Sequence, residues 1–121
     1  MTEKEKDEAF EYVLDKVARN ALLKLQMNPN DERYVVVVKL VLVNFSELHS
    51  DDYLCQYVQR HLEHWNIQLP QEEVQEIVRL TRANCDRQHY ALEVASDQIE
   101  NDNLGGEEVC NNLSHFLSNS I

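Results

Sequence analysis

Apolar residues return at every third or fourth position along most of the chain, the spacing that stacks side chains on one face of an α-helix. Phe10, Val13, Leu14, Val17, Ala21, Leu22 and Leu25 do so behind Thr2 and Glu5, which have the spacing of a capping box. A first helix is expected over about residues 3–27. Asn28-Pro29-Asn30 should end it, because the residue before a proline is pushed out of the helical region and asparagine favours turns.

The next run, Arg33 to Val43, breaks the pattern. It is almost continuously apolar, and its valines favour a strand while its length also suits a helix. A strand needs a partner, and no second β-like run exists in the chain, so a strand here would have to pair between two copies. Continued through Phe45 and Leu48, the segment reads as the central helix of a bundle, over about 31–49.

Ser50-Asp51-Asp52 supplies a capping hydroxyl and two acids for the positive end of a third helix, about 51–65, with Leu54, Tyr57, Val58, His61, Leu62 and Trp65 on its buried face. Pro70 opens a fourth, about 70–100, in which Val74, Ile77, Val78, Thr81, Cys85, Leu92, Ala95 and Ile99 keep register. Its polar middle, Arg82 to Tyr90, marks where it would kink, break or project. After the loop Asn101 to Gly106, a last helix of about 107–119 turns Val109, Leu113, Phe116 and Leu117 inward. The chain, 1–121, is expected to be one compact all-α bundle of about five helices.

Composition supports this: two glycines and two prolines are too few for the turns of a β-sandwich or barrel. Three cysteines, widely spaced and odd in number, outline neither a disulfide framework nor a zinc knuckle, and read as reduced residues of a cytoplasmic protein. No signal-peptide core and no membrane-length apolar run is present. Eleven basic against twenty-two acidic side chains give a net charge of −11, which argues against direct contact with nucleic acid or anionic lipid and for a basic protein partner. No Lys or Arg follows Arg87, whereas Glu93, Asp97, Glu100, Asp102, Glu107 and Glu108 do.

Several patterns have spacings that suggest chemistry. The Asn101–Gly106 loop has the oxygens of a calcium loop, but Asn112 stands where a bidentate glutamate is required. His61 and His64 lie on adjacent turns with His49 and Asp52 upstream, a set better explained by structural histidines than by metal ligands, since His61 lies on the apolar stripe and His64 beside it. Cys85 and His89 share a helical spacing but no oxyanion feature accompanies them. Phosphate-binding and dinucleotide loops need more glycine than the chain has. No cofactor and no metal is expected.

Two resemblances come from local motifs. Arg82 and His89, seven residues apart, are similar to the Arg/His motif of HEPN-type ribonucleases, which implies a helical homodimer cleaving RNA without metal. From Leu40 to Thr81, an apolar helix, the acidic turn Glu47 to Asp52, an amphipathic helix and Pro70-Gln71-Glu72-Glu73 follow an order that resembles TerB-type helical domains, without the small-Asp-Gly core of that family's turn.

The leading expectation is a non-enzymatic protein that binds and neutralises a basic, nucleic-acid-binding or toxin-like partner. By analogy of size and charge, this is the class of immunity, anti-restriction and anti-CRISPR proteins and other phage or plasmid accessory factors. Glu93, Asp97, Glu100, Asp102, Glu107 and Glu108 would form the docking face, although each taken singly is explained by solvation of a helix surface. The alternative is the HEPN-like ribonuclease with Arg82 and His89 catalytic, and a homodimer built on the valine-rich segment is open.

Overall fold

The computed structural model describes residues 1–44 and 48–115. Among these residues it is wholly helical: α1 (Glu3–Lys24), α2 (Glu32–Val43), α3 (Asp51–His64), α4 (Gln71–Ala83), α5 (Asp86–Asn101) and α6 (Gly106–Asn112). Each expected helix is present, one of them split in two, and the end of the last one, with Phe116 and Leu117, lies outside the described residues.

Local chemistry sets the ends. Thr2 and Glu5 close the capping box reciprocally, Thr2 Oγ1 accepting from the Glu5 N–H at 3.1 Å and Glu5 Oε1 from the Thr2 N–H at 3.2 Å. α1 stops at Lys24, earlier than expected. Gln26 takes a left-handed φ of 60°, and the Met27 N–H turns back to the Leu22 carbonyl, so a Schellman-type end precedes the Asn-Pro-Asn turn. The same device ends α3, with Asn66 at φ 56° and the Ile67 N–H on the Leu62 carbonyl.

α2 is a helix, and it ends at Val43 rather than 49. Asp31 accepts from the Arg33 N–H at its start, and Asn44 Nδ2 donates to the Leu40 carbonyl at its end. Leu48 is 93% exposed, outside the bundle, and Phe45 lies outside the described residues. Val35, Val37, Val38, Leu40, Val41 and Leu42 are all buried, which only a helix covered on several sides can achieve with neighbours in sequence. α2 packs on α1, α3 and α4, and that coverage overrides the strand preference of its valines.

The helices form three hairpins. α1 and α2 make the central one, α3 and α4 cover α2, and α5 and α6 cover α1. This explains the break in the expected 70–100 helix. Straight, it would run about 46 Å, whereas α4 must pack on α2 and α3, and α5 on α1 and α6. The chain turns at Asn84 and Cys85, where Asn84 Nδ2 donates to the Leu80 carbonyl and Cys85 Sγ to that of Arg82. Gln88 is buried in the next turn between the Asn84 carbonyl and the Lys24 ammonium, and the amide orientation that satisfies both puts its nitrogen on the carbonyl and its oxygen on the ammonium. The polar residues that marked this stretch therefore make the turn itself.

A charged network joins α1 to α2. Asp15 accepts from Arg19 Nε at 2.8 Å and faces Lys39 Nζ at 3.1 Å; Lys39 also reaches Glu11 at 2.8 Å and Arg19 reaches Glu32 at 2.7 Å. Burial pushes the Asp15 carboxyl up, but the hydrogen bonds from Arg19 and Lys39 outweigh it and hold the carboxyl below its ordinary value. A carboxyl lowered on folding contributes stability above its unfolded pKa, near 4, and loses it as pH falls through the folded value. Asp15→Asn should cost about 1 kcal/mol at neutral pH, with the two proteins converging in acid; melting curves of both across pH check this, and a gap that persists in acid refutes it.

All of the described core side chains form one contiguous cluster. No helix among the described residues is long and apolar enough to cross a membrane.

Candidate interaction surface

α5 buries Ala91, Leu92, Ala95 and Ile99 and turns Glu93, Asp97 and Glu100 outward, so these three acids share the face opposite the core. Asp102 caps the helix end and is exposed, and Glu107 and Glu108 are exposed in the first turn of α6. Asn112 Nδ2 donates to Gln98 Oε1 at 3.1 Å and ties the two helices together. Two of the acids already have neighbours. Glu100 Oε2 lies 3.3 Å from Lys6 Nζ, and Glu93 Oε1 lies 3.5 Å from His89 Nδ1.

The Lys6–Glu100 pair reveals what the linear reading missed. It joins the start of α1 to the end of α5, and the Met1 ammonium donates to Asn103 Oδ1 at 2.9 Å at the same end, so the two helices run antiparallel. The acids of α1's first turns, Glu3 and Asp7 among them, therefore stand beside those of α5. The negative field is not confined to the last third of the chain. The signal was present, since acids cluster at the start of α1, but its neighbour lies 94 residues away in sequence.

Two grooves flank Phe10. One, between α1 and α5, holds about 390 Å³ and is lined by Lys6, Asp7, Phe10, Ser96, Ile99 and Glu100. The other, between α1 and α2, holds about 360 Å³ and is lined by Phe10, Glu11, Leu14, Val36, Lys39, Leu40 and Val43, with Trp65 from the end of α3. Trp65 was expected on the buried face of its helix; as the C-cap it sits past the packed turns and is 49% exposed. It ends a ladder of rings at four-residue spacing: His49 stacks on Tyr53, Tyr57 packs on His61 at 4.3 Å, and His61 meets Trp65 at 5.4 Å. His61 Nδ1 donates to the Tyr57 carbonyl at 2.9 Å, which fixes its ring. A wider recess of about 740 Å³ lies at the α3–α4 connection and contains none of the expected site residues.

Arg82 and His89 are not on one helix. Arg82 is in the last turn of α4, where its guanidinium donates to the Asp51 carboxylate and the His49 carbonyl and holds α4 against the start of α3. His89 is in the first turn of α5. Cys85 is buried between them, and burial pushes its thiol up to about 11, away from the thiolate a nucleophile needs. Of the acidic turn, Glu47 lies outside the described residues, while Asp51 and Asp52 fill the first turn of α3 behind its Ser50 cap. Among the described residues, no group of three or more His, Cys, Asp or Glu side chains is placed to hold a metal ion. Compared with known proteins, the chain matches no family model, no curated protein and no solved structure.

Proposed function

We propose that this protein is a binding module whose acidic face docks on and neutralises a basic protein. Glu93, Asp97 and Glu100 would lead the contact, with Asp102, Glu107 and Glu108 at its edge. The observation that carries the reading is the exposed acid stripe of α5, continued by the acids of α1, on a chain of net charge −11. Such a field speeds encounter with a cationic surface and repels nucleic acid and other acidic chains. The contacts of Glu93 with His89 and of Glu100 with Lys6 are solvent-exposed and weak in water, and exchange readily for an incoming arginine. Free thiols at Cys55, Cys85 and Cys110 support a reducing, cytoplasmic setting.

Position can be separated from net charge. Asp97→Lys/Glu100→Lys/Asp102→Lys should weaken binding to an arginine-rich peptide about tenfold, as expected when close charge pairs of roughly 1.4 kcal/mol in sum are lost. Asp52→Lys/Glu63→Lys/Glu72→Lys changes the net charge equally on α3 and α4 and should have less than about a twofold effect. Equal losses in the two variants, measured by calorimetry at physiological salt, would mean that no docking face exists.

A further inference from the structure

We infer that the groove between α1 and α2 is the seat of an amphipathic, lysine- or arginine-bearing helix of the partner. This rests on the reading of the chain as an acceptor of basic protein surfaces, and it adds the element of the partner that is gripped.

The shape comes first. Phe10 and Leu14 from α1 and Val36, Leu40 and Val43 from α2 line a trough between two adjacent helices, and Trp65 adds an aromatic wall. It is an open trough of about 360 Å³, long enough to receive side chains laid along it but not to enclose a ligand. A trough between helices takes the side chains of another helix at three- and four-residue spacing. Val43 and Trp65 are each 49% exposed, a cost in water that a docked apolar face would remove. The Trp65 ring is braced by His61, which is itself held by the Tyr57 carbonyl, so this anchor is ordered before binding.

Charge then selects the occupant. The groove's lysine, Lys39, is held between Glu11 and Asp15 at 2.8 and 3.1 Å and presents no free positive charge to an incoming chain. Glu11 remains 61% exposed. Across Phe10, Asp7 and Glu100 line the adjoining groove. Lys6 lines that groove too and pairs with Glu100, so over the two linings Asp7, Glu11 and Glu100 stand against Lys6 and Lys39. The apolar floor thus lies in a net-negative surround on the α1 side, on a chain of net charge −11, the complement of a helix with one apolar face and a basic flank. A second copy of this chain carries the same net charge of −11 and is disfavoured by like-charge repulsion.

Trp65 is the sole tryptophan, so its emission reports on this groove alone. The probe is a synthetic helix of leucine and lysine with the leucines on one face, compared with a scrambled peptide of the same composition. The patterned peptide should shift Trp65 emission to shorter wavelength and bind at least tenfold more tightly than the scrambled one. Val43→Asp, at an exposed position, should reduce the affinity at least tenfold while melting temperature and helical signal stay unchanged. A peptide-borne dye repeats the titration with Trp65→Ala, which should show a similar loss. Equal binding of the two peptides, weakened by the α5 charge reversals but untouched by Val43→Asp, would overturn the groove and leave the acidic face standing. No binding of either peptide would overturn both. A Trp65 shift and a doubled mass on raising protein concentration alone would assign the groove to a second copy and overturn the proposal.

Discussion

Val38→Asp is expected to leave the chain largely unfolded at room temperature. Val38 is fully buried in α2, which α1, α3 and α4 cover. Aspartate there loses about 1.5–3 kcal/mol of apolar burial. It also places a carboxylate with no partner in the interior, a further cost of about 3–5 kcal/mol. The sum is comparable with the entire stability of a domain, about 5–15 kcal/mol. Val38→Ala should stay folded and lose about 1–2.5 kcal/mol, lowering the melting temperature by very roughly 5–10 °C. Far-ultraviolet circular dichroism of the two variants checks this. A Val38→Asp protein with native ellipticity and melting temperature would show that this face of α2 is not enclosed. Val37→Asp should be as severe, since Val37 is also fully buried, and sensitivity at two adjacent positions is the mark of an enveloped helix.

Gly106→Ala should cost about 1–3 kcal/mol by overpacking, and the loss should appear locally. A methyl group there would lie 2.9 Å from Cβ and Cδ1 of Tyr12 and 3.0 Å from the Ala9 carbonyl oxygen. The oxygen is backbone and Tyr12 Cβ is anchored to it, so neither moves aside cheaply. α6 has to lift from α1, uncovering Val109 and Leu113, which are buried on it. Gly105, one residue earlier, has nothing within 4 Å of the same added atom, so Gly105→Ala is the control and should be nearly silent. Hydrogen exchange across residues 106–113 should accelerate in the first variant only; equal exchange in both would mean that α6 is not seated as described.

Much of the fold is legible in periodicity alone, because α1, α3 and α4 each carry one apolar stripe that needs one covering surface. α2 was decided by a different argument, the lack of any partner for a strand, since its valines give no stripe to read. The division at Asn84 and Cys85 was marked by polarity, but whether polar residues in mid-helix make a bend, a break or a projection depends on what α5 packs against, and that is α1, far upstream. The site was less legible. The acids of α5 are visible in the sequence as a charge bias, and Glu93, Asp97 and Glu100 are exposed on one face of the helix. Their company on α1, and the groove beside Phe10, are products of tertiary contact. Trp65 misled because helical phase alone placed it inward, whereas its helix ends there.

The antiparallel contact of α1 with α5 also sets the order in which the molecule can assemble as it is made. Lys6 and Glu100 are 94 residues apart, so at the pace of synthesis, about 5–20 residues per second, the face of α1 that receives α5 stays open for on the order of ten seconds. The α1–α2 and α3–α4 hairpins can form as they emerge, since their partners are sequence neighbours. The α5–α6 hairpin closes the structure last, and until then the nascent chain carries an uncovered apolar strip on α1.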